Sequence, residues 1–349
     1  MKKNLFIILL FFIFLILIFL SLFIYPLINN KIDKENYNKE TDNNDNIPID
    51  VVYTWVDIND IERIYYQDKL LPKQDFNREN VRYEQNEELK YSIKSIEKNC
   101  PWVRTIYIVV KDNQMPNFIN FDNTKNKIPI KLIKHSMIMP KTCLPTFSSI
   151  SIELCLHKIK DLSDYYIYMN DDLFITKPLN KNTFVKEGKP IVNITLVNKS
   201  DVTVYDVNYY SFNIMYNKSL LLANELTKQE LYICTSHTPS VCYKPWEKEI
   251  ESLLKTIPIK KTNLWDFSLH EKFRNNDSIA LNGCFRPVYY VFKGSYRNEN
   301  VKSSTIYLKE SNNCNDYKIF DDKDTFLCIN EVENKCKTFF NKEIFNKFD

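Results

Sequence analysis

Tyr165-Tyr166-Ile167-Tyr168-Met169-Asn170-Asp171-Asp172-Leu173-Phe174 is the segment from which the fold is read. Its aromatic and β-branched opening has the character of a buried strand. The strand then stops in an amide and two adjacent carboxylates. A hydrophobic strand that delivers acidic groups to the loop at its carboxyl end marks the place where open α/β sheets bind ligands. Paired aspartates there suit a divalent cation, because Mg²⁺ takes one or two carboxylates and completes its shell from diphosphate oxygens and water. Asn and Asp are also the commonest turn residues, so the segment needs support from the rest of the chain.

Upstream, Ile49-Asp50-Val51-Val52-Tyr53-Thr54-Trp55-Val56-Asp57 reads as a first strand ending in an acid. Asn86 to Ile96 places Leu89, Ile93 and Ile96 on one helical face. Thr105–Val110 and Ile128–Ile133 are further strands, and Ser149–Ile159 reads as a helix with Ile152, Cys155, Leu156 and Ile159 as its stripe. Strands alternating with helices imply an α/β fold, a mixed sheet with helices on both faces. Later helices are expected over Ser219–Tyr232, Pro245–Lys255 and Ser268–Asn275, and a last strand over Thr325–Ile329, ending in Asn330 and Glu331.

The chain has 349 residues, a formal net charge of +3 and only 3 glycines. The near balance of charge argues against a nucleic-acid partner. The scarcity of glycine excludes the Gly-x-Gly-x-x-Gly turn and the P-loop by spelling alone. Leu5 to Ile24 carries no charge and is long enough to span a bilayer. Lys2 and Lys3 before it place the amino terminus in the cytoplasm. This divides the chain into a tip and membrane anchor (1–28), a polar stem (29–47) and a catalytic body (48–349). The expected protein is a single-pass type II membrane protein, with a lumenal body in the Golgi if the source is eukaryotic. Nine cysteines include two pairs of equal spacing, Cys234 with Cys242 and Cys328 with Cys336. Either pair reads as a disulfide or as two buried thiols.

Several side chains compose a phosphoryl-transfer set: an acidic pair for a cation, Arg82 and Arg274 for phosphate, and His237 for proton transfer. Each has a structural reading too. His237 precedes a Thr-Pro and suits a loop, the arginines suit surface ion pairs, and Asp57 suits a helix cap.

The order and length of the motifs resemble the Stealth family. Ile49 to Asp57 is similar to its first block. Arg82 to Leu179 is similar to the second, through Asn86-Glu87-Glu88-Leu89, Cys100-Pro101-Trp102-Val103-Arg104, Leu144-Pro145-Thr146-Phe147-Ser148-Ser149 and Tyr168-Met169-Asn170-Asp171-Asp172. His237-Thr238-Pro239 through Arg274 and Asp277 resembles the third block, and Phe326 to Asn330 the fourth. The resemblance implies a GT-A-like fold and transfer of a hexose-1-phosphate from a UDP-sugar donor, typically UDP-GlcNAc, to a glycan or polysaccharide hydroxyl, with UMP leaving. It implies that Tyr53, Trp55, Asp57, Arg82, Asn86, Glu87 and Asn330 bind substrate. Asp171 and Asp172 would hold Mg²⁺ or Mn²⁺, and His237, Arg274 and Asp172 would do the chemistry. Two readings stand beside it: a metal-dependent glycosyltransferase that releases UDP, and a non-catalytic carbohydrate-binding relative. The chain departs from the family at Gln85 and at Met137, each where an Asp is usual. The second departure bears on acceptor choice and on the strength of the enzyme.

Overall fold

The computed structural model describes residues 46–78, 87–204, 210–234, 237–307, 323–330, 332 and 336–348. Ile47–Asp349 forms one unit. The membrane anchor and nearly all of the stem fall outside the described residues, as do Arg82, Gln85, Asn86 and Glu331.

A five-stranded sheet organises the unit. The strand β1 (Ile49–Thr54) is followed by helices α1 (Ile61–Leu70) and α2 (Glu88–Asn99), then by β2 (Ile106–Val110) and β3 (Ile130–Lys134). The short helix α3 (Ser149–Glu153) precedes β4 (Tyr165–Asn170) and β5 (Leu173–Ile175). Then come α4 (Phe212–Thr227), β6 (Ser240–Tyr243), α5 (Lys244–Leu254), α6 (Leu264–His270), α7 (Arg286–Phe292), β7 (Ser303–Tyr307), β8 (Phe326–Asn330) and α8 (Lys337–Phe348). The sheet order is β6-β4-β1-β2-β3. Strands β1 to β4 run parallel, with Val52 opposite both Tyr107 and Tyr168, and β6 joins β4 antiparallel.

Alternation along the strands sorts two cores. Val51, Tyr53, Ile106, Ile108, Ile167 and Met169 pack with Leu89, Ile93 and Ile96 of α2. Val52, Tyr107, Val109, Tyr166 and Tyr168 pack on the opposite face with Ile150 and Ile152 of α3 and Val288 of α7. A sheet covered on both faces needs apolar side chains of both parities, and these strands have them.

The chain leaves this sheet at Asp171 and Asp172. Strand β5 starts one residue later and pairs antiparallel with β8, which pairs parallel with β7. The strand that ends in Asn330 therefore belongs to a second, three-stranded sheet, not to the row of strand ends expected from the sequence. Its register sets Cys328 opposite Leu173.

Other expectations shift. Trp55 to Asp57 lie beyond the end of β1, and α2 starts at Glu88 because Glu87 adopts a left-handed conformation, φ 60°. The helix expected over Ser149–Ile159 stops at Glu153 and continues as a tighter turn over Leu156–Lys158. Bonding there tightens from i+4 to i+3, as in Cys155 N to Ile152 O and Lys158 N to Cys155 O, and Leu154, Cys155, Leu156 and Ile159 are all buried together. Neither expected cysteine pair forms a disulfide: Cys242 and Cys328 are buried free thiols. Cys336 is disulfide-bonded, to a cysteine other than Cys328.

Asp50 anchors the first strand from its buried side. Its carboxylate accepts from Arg104 Nε at 2.8 Å and Nη2 at 2.6 Å, and from the Ser163 amide and hydroxyl at 2.7 and 2.9 Å. Asp50→Ala leaves these donors unmatched and should lower unfolding stability by about 2–3 kcal/mol, read as a fall in urea midpoint at unchanged slope.

Candidate functional site

A cavity of ≈350 Å³ opens at the carboxyl ends of all four parallel strands. Thr54 and Trp55 reach it from β1, Lys111 from β2, His135 from β3, and Asn170, Asp171 and Asp172 from β4. Strand order reverses between β1 and β4, so the acidic pair sits at the topological switch point where such sheets bind ligands. His237, from the loop before β6, and Arg274, from the loop after α6, complete the wall.

Asp172 is the most constrained group in it. Its carbonyl accepts from the Ile329 amide at 3.0 Å, and its Oδ2 accepts from the Cys328 thiol at 3.3 Å. Its Oδ1 is buried and has no hydrogen-bond partner. Burial, with Asp171 next to it, pushes the carboxyl up to about 7. Arg274 is held by Nη2 to Ser149 Oγ at 2.7 Å and by its carbonyl to Asn77 Nδ2 at 3.1 Å. His237 is half-buried, and burial and the Arg274 charge hold its imidazole below its ordinary value.

The structure brings together Trp55, Asp171, Asp172, His237 and Arg274. It does not bring Tyr53 or Asp57 to the cavity. Tyr53 is wholly buried in the α2 core with its hydroxyl 2.8 Å from Ser92 Oγ. Asp57 closes a local turn, its Oδ1 accepting from the Asn59 amide at 2.9 Å. Glu87 is exposed and paired to Lys90 at 2.8 Å, away from the cavity wall. Arg82 and Asn86 lie outside the described residues, and of Asn330 only the backbone, at the end of β8, is described. Met137 is 59% exposed and lines neither this cavity nor its neighbour.

Four residues escaped the sequence reading. Asp60 lines the cavity, but its carboxylate is saturated: it caps α1 through the Glu62 and Arg63 amides and accepts from Lys111 at 2.7 and 2.8 Å and Gln114 at 2.8 Å. Asp60-Ile61-Glu62 carries a cap signal that could have found it. His135 is 4% exposed with both ring nitrogens unpartnered, and burial lowers its imidazole to about 4. Glu153, on α3, is buried with Oε2 unpartnered, and burial raises its carboxyl. Ser149 positions Arg274, a contact across 125 residues that no local pattern announces.

Among the described residues no three His, Cys, Asp or Glu side chains are grouped as a metal cage. Asp171 and Asp172 offer two carboxylates, one with a buried oxygen lacking a partner. That donor set fits a hard cation whose remaining ligands come from a bound diphosphate.

Residues 82–192 match the profile described as Stealth protein CR2, conserved region 2. The chain is 32% identical over 322 residues to the capsular polysaccharide phosphotransferase fcs1 of Haemophilus influenzae, spanning 86% of this chain and 83% of that protein. It is 32% identical over 301 residues to the capsular polysaccharide phosphotransferase SacB of Neisseria meningitidis serogroup A, covering 82% of this chain and 52% of that one. Among solved structures, galactosyltransferase LgtC with donor and acceptor sugar analogues aligns at a TM-score of 0.43 and 10% identity, over 86% of this chain and 96% of LgtC.

Burial makes the Asp172 carboxyl a weaker acid in the folded protein than in the unfolded chain. The folded carboxyl holds its proton to about pH 7 while the unfolded one ionises near 3.8, so folding stability is unaffected below pH 4 and falls as pH rises from 4 to 7. Asp172→Asn should therefore unfold at a higher temperature than the parent at pH 8, with the gain vanishing towards pH 4. Melting curves across that range check it.

Proposed function

Because the chain belongs to the Stealth family, as its similarity to a capsular polysaccharide phosphotransferase over 86% of its length shows, we propose that this cavity transfers a sugar-1-phosphate. The donor is a UDP-hexose, UDP-GlcNAc being the first to test, and the acceptor is a hydroxyl of a growing polysaccharide on a GT-A-like frame. The observation that carries this is the meeting of Asp171, Asp172, His237 and Arg274 at the ends of the parallel strands.

The chemistry asks for little covalent work from the protein. An acceptor hydroxyl attacks the β-phosphorus; a new phosphorus–oxygen bond forms, the bond to the oxygen shared with the α-phosphate breaks, and UMP departs. The sugar C1–O bond stays intact, so anomeric configuration is retained. His237 takes the proton of the attacking hydroxyl, a role its lowered basicity permits because the imidazole is neutral at neutral pH. Arg274, fixed by Ser149, offsets charge on the non-bridging oxygens. Asp171 and Asp172 would hold Mg²⁺ or Mn²⁺, which when bound supplies positive charge to the diphosphate. Trp55 offers an aromatic wall for the nucleoside. The apolar segment 5–24 would tether this body to a membrane.

Incubating the purified protein with UDP-GlcNAc and Mg²⁺ and identifying the nucleotide released tests the reading. UMP is the expected product; UDP identifies a glycosyltransferase instead, and no release from any UDP-hexose leaves the non-catalytic reading. His237→Ala should lower kcat at least about 100-fold, with folding checked by circular dichroism. In the parent, the acid limb of kcat should fall below pH 6.5, the ordinary imidazole value, since a depressed histidine stays neutral, and basic, to lower pH.

A further inference from the structure

Beside the main cavity lies a second one of ≈130 Å³. Ser149, Asn170, Phe212, His237 and Arg274 border both. A water needs about 10–15 Å³ of such space, so the chamber has room for about ten, enough for one pyranose ring.

Its lining is built for hydroxyl groups. Glu153 is 6% exposed and sits in the chamber wall; Oε1 accepts from the Tyr168 hydroxyl at 3.3 Å, and Oε2 has no partner. Asn282 and Gly283 enter from a π-helical turn, Leu281–Phe285, in which the Phe285 amide reaches back to the Ala280 carbonyl at 3.2 Å. Such wide turns recur at functional sites. Asn282 Oδ1 accepts from Arg286 Nη1 at 2.8 Å, and Arg286 is otherwise engaged with Glu247 at 2.7 and 3.0 Å. With its carbonyl so held, Asn282 has its amide donors left for a ligand. A carboxyl oxygen and an amide donor in one chamber match a sugar hydroxyl, which both accepts and donates.

We propose that this chamber seats the hexose of the donor, with Glu153 and Asn282 reading its hydroxyls. The inference rests on the sugar-phosphate transfer proposed above and goes beyond it by giving the sugar its own subsite. The shared wall sets the chamber beside the proposed position of the phosphate, since His237 and Arg274 border both cavities, and its size decides between the donor's hexose and the acceptor's. Glu153, Tyr168 and Arg286, all buried, line it. Space for about one ring suits the donor's single hexose; a growing polymer needs room for several.

Calorimetric titration of the full chain with UDP and with a set of UDP-hexoses, in Mg²⁺ buffer, tests it. Glu153→Gln and Asn282→Ala should leave the Kd for UDP within about twofold and weaken the preferred UDP-hexose about tenfold, as loss of one hydrogen bond does. The preference among hexose epimers should shrink in the same variants. Unchanged UDP-hexose affinity in both variants overturns the proposal, and a rise in acceptor KM alone would reassign the chamber to the acceptor. Equal loss of UDP and UDP-hexose also overturns it, since the chamber would then serve the nucleotide. A parent that binds neither UDP nor any UDP-hexose defeats the nucleotide-sugar reading itself, an outcome distinct from all three.

Discussion

The turn at Asp171-Asp172 joins two sheets, and the rest of the site depends on it. Strand β4 ends the five-stranded sheet, and β5 begins the three-stranded one a single residue past the pair. Both aspartates are half-buried at this connection. The Ile329 amide fixes the Asp172 backbone and the Cys328 thiol fixes one carboxylate oxygen. The other oxygen stays buried and unmatched. An unmatched buried acceptor is costly to a folded protein, and such sites cluster where a ligand later supplies the missing partner.

The same tension recurs around the cavities. His135 and Glu153 each bury ring nitrogen or carboxyl oxygen without a partner, whereas Asp60, a few residues from β1, is satisfied by two side chains and a helix terminus. Asp60 therefore reads as architecture, whereas His135 and Glu153 keep unmatched polar atoms in the cavity walls. Elsewhere in the body, buried charges are matched closely, as in Asp50 with Arg104 and Glu247 with Arg286.

The parallel strands, their buried character and the helix α2 were legible because apolar periodicity is local information. Asp171, Asp172 and Trp55 were legible for a related reason: they follow directly on strands, so their position at the sheet's carboxyl edge follows from the strand itself. Tyr53 and Asp57, which the family resemblance implied as substrate residues, do not line the cavity. Side chains alternate along β1, and parity turns Tyr53 into the α2 core; Asp57 falls far enough past Thr54 to fold into its own turn. Of the two readings that the cysteine spacing left open, the buried thiol holds at Cys242 and Cys328.

By itself the sequence determined the alternation of strand and helix, the two-faced burial of the sheet and the delivery of paired carboxylates to one end of it. These are consequences of side-chain period and of turn chemistry, which act over a few residues. Only the tertiary structure decided that Cys328 would meet Asp172, that Ser149 would hold Arg274, that His237 would face both, and that Glu153 and Asn282 would share a chamber. Those contacts join residues far apart along the chain, and they arise from packing two sheets and their covering helices together, a geometry that no local window contains.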